Sequence, residues 1–212
     1  MKKNEIIEFK IDKVEFPNKG VSTYDGEAVR FKGGIEGQKV KVRTTKWKKG
    51  VMEAKILEVL EKSPIETENG CSHFGVCGGC AYQSLSYENE LKYKEKQIRD
   101  LFTREGIDIN LLGIEGSPIV RAYRNKMEYT FGDEEKDGPL ALGLHMKGRF
   151  YEVVNVWDCN IVDEDFSLIR ERVREYFDEK KVPFYRTRKR EGVLRHLVVR
   201  KAANTGEILI NL

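Results

Sequence analysis

Three cysteines fall within ten residues, Cys71-Ser72-His73-Phe74-Gly75-Val76-Cys77-Gly78-Gly79-Cys80, and the only other cysteine, Cys159, follows after 78 intervening residues. No other feature restricts the fold so strongly. Three thiols this close can meet at one centre only if the backbone turns tightly around it. Gly75, Gly78 and Gly79 supply the conformations and the close approach such a turn needs. A fourth thiolate at the same centre has to come from Cys159 by tertiary folding, which would staple the loop to the second half of the chain.

The compartment decides what four cysteines mean. Met1-Lys2-Lys3-Asn4-Glu5 leads straight into a strand-like run, with no signal-peptide core and no apolar stretch of membrane-spanning length. The expectation is a cytoplasmic monomer with no membrane partner. In a reducing compartment, metal or cluster binding is a better reading than two disulfides. Zinc usually takes two ligands from each of two short pairs, whereas three local ligands and one remote one are common in 4Fe–4S proteins. Spacing therefore favours an iron–sulfur cluster over zinc, with free thiols as the third reading.

Residues 1–62 read as a small all-β domain. Ile6 to Ile11 with Val14 and Phe16 suggests a first strand, and Asn18-Lys19-Gly20 and Tyr24-Asp25-Gly26 are turn signals. Ala28 to Phe31 is a second strand, Lys39 to Arg43 alternates strictly, and Val51 to Leu60 is the last. Several short strands in so few residues predict a closed barrel of the OB type, a frequent platform for single-stranded nucleic acid.

Residues 63–212 read as a mixed α/β domain, so the fold class is α+β. Ser86 caps a helix through about Arg104 with Leu91, Ile98, Leu101 and Phe102 as its stripe, ended by Gly106. Arg124 to Phe131 alternates as a strand. Leu140 to Met146 and Phe150 to Val154 form a hairpin around Lys147-Gly148. Asp163 or Asp165 caps a second helix with the stripe Phe166, Ile169, Val173, Tyr176 and Phe177. Val193 to Lys201 and Glu207 to Leu212 are the last strands. Ile208, Ile210 and Leu212 still alternate at the final residue, which suggests part of something larger.

The net charge of +3 says little, but its distribution is informative. Lys39, Lys41, Arg43, Lys46, Lys48 and Lys49 fall between Gly37 and Gly50 without an acid, and a second basic cluster includes Arg186, Arg188, Lys189, Arg190 and Arg195. Thr44 to Gly50 reads as a loop in which basic side chains flank Trp47. That suits phosphates and a stacked base, and equally a solvated turn with the indole folded back. Lys41 and Arg43 share a strand face with Lys39, by default a solvated one.

The motifs together resemble the RNA uracil-5-methyltransferases that carry a TRAM domain and a 4Fe–4S cluster. The likeness rests on Cys-x5-Cys-Gly-Gly-Cys after a β-barrel and on His73-Phe74-Gly75-Val76 and Ala81-Tyr82-Gln83. It extends to Tyr123-Arg124-Asn125-Lys126, Gly143-Leu144-His145, Val153-Val154 and Asp158-Cys159-Asn160-Ile161. Radical enzymes that use S-adenosylmethionine differ in having C-x3-C-x2-C. The resemblance covers essentially the whole chain. It implies a cluster on Cys71, Cys77, Cys80 and Cys159, and RNA contacts from Lys41, Arg43, Lys46, Trp47, Lys48, Lys49, His73, Phe74, Arg124 and Lys126. It also implies methyl transfer from S-adenosylmethionine to C5 of a uridine in ribosomal or transfer RNA, with 23S rRNA as the leading target. The catalytic cysteine, the carboxylate and the Gly-rich donor loop of that family belong to a C-terminal Rossmann-like domain. The 212 residues contain no strand, Gly-rich turn and helix in succession, and all four cysteines have a role, so no catalytic residue is assigned. The readings are the RNA-recognising portion of such an enzyme, or a stand-alone RNA-binding iron–sulfur protein.

Overall fold

The computed structural model describes residues 1–68 and 70–212. The chain divides into two compact units, one of residues 1–68 and 84–116 and the other of 69–83 and 117–212.

The first unit carries six strands: β1 (Ile6–Lys10), β2 (Lys13–Glu15), β3 (Lys19–Tyr24), β4 (Glu27–Lys32), β5 (Lys39–Lys48) and β6 (Val51–Glu61). Their order in the sheet is β1-β5-β6-β4-β3-β2. Every pairing is antiparallel except β4 with β6. The two edge strands, β1 and β2, are separated in sequence only by Ile11 and Asp12. The sheet therefore rolls until its edges meet at that end, where the Asp12 amide donates to Ser22 Oγ at 3.2 Å. Alternation fills the interior with Ile7, Phe9, Val29, Phe31, Val40, Val42 and Met52, all buried. The expected first strand is two strands. The Asn18-Lys19-Gly20 turn is displaced to Phe16–Asn18, with Asn18 at φ 61° and Lys19 already in β3.

Helix α1 (Tyr87–Arg104) belongs to this unit, although the sequence boundary at residue 62 assigned it to the following domain. Ser86 caps it by accepting from the Asn89 amide at 3.2 Å. Its buried positions are Tyr93 and Gln97, while Leu91, Ile98, Leu101 and Phe102 are only half-buried. The Tyr93 hydroxyl accepts from the Glu36 amide at 3.1 Å, which fixes the helix face toward the 33–38 loop.

The second unit has a five-stranded antiparallel sheet in the order β11-β10-β7-β8-β9. Its strands are β7 (Lys126–Gly132), β8 (Ala141–His145), β9 (Val153–Val154), β10 (His196–Lys201) and β11 (Ile208–Asn211). Helix α2 (Glu164–Glu179) begins at Asp163, whose carboxylate accepts from the Asp165 amide at 3.1 Å. The helix covers one sheet face. Phe166 joins Met127, Tyr129, Phe131, Leu142, Leu197 and Val199 in the core, and Phe131 meets Phe177 edge-on at 5.8 Å. Tyr176, expected in the stripe, is exposed, and Arg170 is buried at 1% instead. Arg170 donates to the Leu142 carbonyl at 3.0 Å and to Glu171 at 2.7 Å, so its charge is compensated within the packed layer. The opposite sheet face is polar, with Glu128, His196 and Arg200 outward.

Candidate functional site

All four cysteines line a single cavity in the second unit, together with His73, Phe74, Gly79, Leu144, Val156, Asn160 and Ile161. Two chain segments build it. Residues 71–80 wrap one side through local turns, in which the Phe74 amide donates to the Cys71 carbonyl at 3.2 Å and the Cys77 amide to the His73 carbonyl at 2.9 Å. Gly75 sits at φ 89°, a conformation that favours glycine. Residues 156–161 form the other side and bring Cys159, and Cys71 Sγ lies 4.0 Å from the Asp158 carbonyl. Cys159, remote in sequence, thus lines the same cavity as Cys71, Cys77 and Cys80.

N–H groups face two of the sulfurs, whereas Cys71 Sγ faces the Asp158 carbonyl. The Gly79 amide donates to Cys77 Sγ at 3.3 Å. Gln83 donates to Cys80 Sγ at 3.9 Å and accepts from Asn160 Nδ2 at 3.2 Å, which links the two segments beside the thiols. Burial pushes the Cys77 and Cys159 thiols up, opposed by the Gly79 amide and by the Ile161 and Val162 amides respectively. Cys80 is pushed up to about 11 by burial first and by the neighbouring cysteines next. Two buried donors in this unit, the Tyr129 hydroxyl and Arg170 Nε, have no hydrogen-bond partner among the described residues. Tyr129 belongs to the core against which Cys77, Cys80 and Cys159 pack. Its own ionisation is raised by burial first and by Cys159 next.

Among the described residues, no three Cys, His, Asp or Glu side chains converge closely enough to hold a single metal ion. A mononuclear zinc site requires all ligands on one tetrahedral centre, with Zn–S bonds of about 2.3 Å. A polynuclear cluster takes each thiolate on a different iron and so suits wider spacing around a cavity. The chemistry of the residues, four thiols on an apolar wall with N–H groups directed at Cys77, Cys80 and Cys159, fits such a group. Gln83 and Asn160 are site residues with no sequence signal of their own beyond the resemblance.

The residues expected to meet RNA divide by environment. His73 is buried at 4%, and its Nε2 accepts the Trp157 amide at 3.2 Å. This bond ties the cysteine loop to the opposite wall of the cavity. Phe74 is half-buried in the cavity lining. Trp47 is 45% exposed, but the expected loop around it is strand: β5 runs through Lys48, and only Lys49 and Gly50, at φ 50° and 76°, make the turn. Arg43, Lys46 and Lys49 are exposed, whereas Lys41 sits 3.6 Å from Glu8 and Lys48 3.9 Å from Glu53. Arg124 is exposed and donates to the Lys126 carbonyl at 2.9 Å; Lys126 pairs with Glu128 at 2.7 Å.

No protein-family model matches the chain. A protein of Caldanaerobacter subterraneus subsp. tengcongensis named an uncharacterized RNA methyltransferase is 53% identical over 213 residues, all of this chain and 47% of the relative. One of the same description from Clostridium acetobutylicum is 49% identical over the same shares. Another from Halalkalibacterium halodurans is 32% identical over 99% of this chain and 46% of its own length. The chain spans about half the length of the curated relatives it matches. Among solved structures, the Pyrococcus abyssi tRNA (uracil-54, C5)-methyltransferase in complex with S-adenosyl-L-homocysteine matches with a TM-score of 0.66 and 23% identity. That match covers 96% of this chain and 45% of that one. The structural likeness concerns the fold. The sequence likeness makes the chain homologous, along its whole length, to proteins named RNA methyltransferases.

Proposed function

We propose that the chain is the RNA-recognising, iron–sulfur portion of an S-adenosylmethionine-dependent RNA (uracil-5-)-methyltransferase. One observation carries the cluster: thiols from two distant segments line the same apolar cavity, with backbone and amide donors aimed at them. Cys71, Cys77, Cys80 and Cys159 would hold a 4Fe–4S cluster. When bound, it supplies iron–thiolate bonds that cross-link residues 71–80 to residue 159. The protein's part is to keep water from the sulfurs with Leu144, Val156 and Ile161 and to present donors that favour the thiolate form.

RNA would meet the first unit, in the role of a TRAM barrel, through Arg43, Lys46, Trp47 and Lys49, with Lys41 and Lys48 exchanging their carboxylate partners for phosphates. Arg124 and Lys126 would add contacts in the second unit. Homology to proteins named methyltransferases favours this reading over a stand-alone RNA-binding iron–sulfur protein. The sequence resemblance makes 23S rRNA the leading target.

The test is anaerobic purification after expression with ample iron. The expected product is brown, with about four irons per chain. It should bind single-stranded RNA with a log–log salt slope of about −3, corresponding to roughly four phosphate contacts. Stoichiometric zinc would overturn the cluster, and equal affinity for RNA and for an uncharged polymer would overturn the RNA reading. Titrating the iron-loaded protein with unmodified 23S rRNA fragments and with transfer RNA decides the target.

A further inference from the structure

The second basic cluster of the sequence, residues 185–190, comes together in the folded unit with an aromatic turn. We propose that Phe150 and Tyr151, supported by His145 and Arg188, form a stacking platform for unpaired bases of single-stranded RNA. Lys147, Arg149 and Arg188 take the phosphates of the same strand. This rests on the RNA reading above and adds a surface that it does not include.

The rings are arranged in series. His145, the last residue of β8, stacks on Phe150 with centroids 5.7 Å apart and planes at 11°. Phe150 is 74% exposed, so with one face on His145 it presents the other to solvent. Tyr151, 52% exposed, meets Phe150 edge-on at 5.1 Å. The Arg188 guanidinium lies over the Tyr151 ring at 4.4 Å, which places a cation beside the stack.

The turn that presents these rings is held at both ends. The Met146 amide donates to the Glu152 carbonyl at 2.9 Å, and the Arg149 amide to the Met146 carbonyl at 3.0 Å. The cysteine loop fastens it from behind: the Lys147 amide donates to the Val76 carbonyl at 2.7 Å, and the Gly78 amide to the His145 carbonyl at 3.0 Å. A ring fixed in advance loses little freedom when a base settles on it.

Charge selects the occupant. Residues 145–151 and 185–190 contain six Lys and Arg and no Asp or Glu. Acids do touch the margin: Arg149 is 3.7 Å from Glu152, and Arg186 is 3.1 Å from Asp133. Exposed aromatic faces alternating with cations suit a polyanion with flat, unstacked rings. Duplex RNA keeps its bases stacked internally and offers only phosphates and hydroxyls to such a surface.

The experiment uses the full iron-loaded chain and fluorescent RNA of one sequence, as an unpaired 12-mer and as a duplex. Phe150→Ala and Tyr151→Ala should each weaken single-strand binding about 5- to 150-fold, while leaving the duplex nearly unchanged. Phe150→Tyr should bind as wild type does. Arg188→Gln should reduce the magnitude of the salt slope by about 0.7. A 2-aminopurine placed in the 12-mer should be quenched by wild type and less by Phe150→Ala. Because both rings are exposed, iron content and circular dichroism should stay unchanged, and they verify folding. If wild type binds no RNA, the RNA reading and this platform fall together. If it binds and both alanine variants match it, the platform alone is overturned. Loss of binding to phosphatidylserine vesicles in Phe150→Ala, with RNA affinity intact, would give the surface to a membrane instead.

Discussion

His73 Nε2 accepts the backbone N–H of Trp157 at 3.2 Å, a bond between residues 84 apart in sequence, and the two rings meet edge-on at 4.0 Å. It joins the loop carrying three cysteines to the segment carrying the fourth. Replacing His73 with Ala leaves the part-buried Trp157 amide without its acceptor, which costs about 1 kcal/mol. The expected result is a lower denaturation midpoint and, for the proposed cluster, slower loading, followed by the growth of visible absorbance during anaerobic reconstitution. His73→Asn, which offers an amide oxygen, should recover part of both. Equal loading rates for wild type and His73→Ala would show that the thiols assemble without this strut.

Gly143 lies in β8 where a Cβ would fall 1.8 Å from the Val154 carbonyl oxygen. Gly143→Ala must therefore separate β8 from β9, and a loss of at least about 3 kcal/mol is expected, at the upper end of overpacking costs. Gly26 is the contrast: a Cβ there meets nothing within 4 Å, and only its φ of 76° opposes alanine. Gly26→Ala should cost about 1–2 kcal/mol. Urea unfolding of the two variants should rank them in this order, and the reverse order would refute the packing at β8.

Arg170 was invisible as a core residue, because an arginine among helical positions reads as solvated. Its burial depends on two acceptors, the Leu142 carbonyl and Glu171, that only the folded sheet brings to it. Arg170→Met keeps much of the stem but deprives both acceptors, and a loss of about 2 kcal/mol is expected in chemical denaturation. A variant as stable as wild type would mean that the apolar stem alone carries the packing.

What could be read in advance was local. Ser86 and Asp163 announced their helices because a capping side chain acts on amides two or three residues away. Met127, Tyr129 and Phe131 announced a half-buried strand by period alone. The cysteine loop was legible because three cysteines lie within ten residues and Cys159 is the only other one. The extent of β5 was not, since its register with β6 carries Trp47 and Lys48 into the ladder beyond the point where alternation is visible. Neither was the placement of α1 with the six-stranded sheet, set by Tyr93 meeting a loop 57 residues earlier. The stack of Phe150 on His145 was hidden for the same reason: each half of the pair is unremarkable in its own segment.

The Asp163 carboxylate is held below its ordinary range by the Lys201 ammonium, 2.9 Å away, and then by the Asp165 amide. Its folded pKa lies below the unfolded one, so the folded state binds fewer protons between the two. The stabilisation is complete above about pH 4, the ordinary aspartate range, and is lost as pH falls through the lower folded value. Asp163→Ala should cost about 1 kcal/mol at neutral pH through the lost cap. The gap between wild type and variant should close below pH 4 in thermal melts. A gap that persists at pH 2 would mean that packing, not the carboxylate charge, sets the helix start.

The rolling of the six-stranded sheet matters for behaviour in concentrated solution as well. Where β1 passes into β2 through Ile11 and Asp12, the two margins of the sheet are joined by only two residues. The sheet of the second unit does not roll in this way, and β11 is its margin, with Ile208, Leu209 and Ile210 between 41% and 56% exposed. A strand edge with bare amides and apolar side chains is a template for pairing.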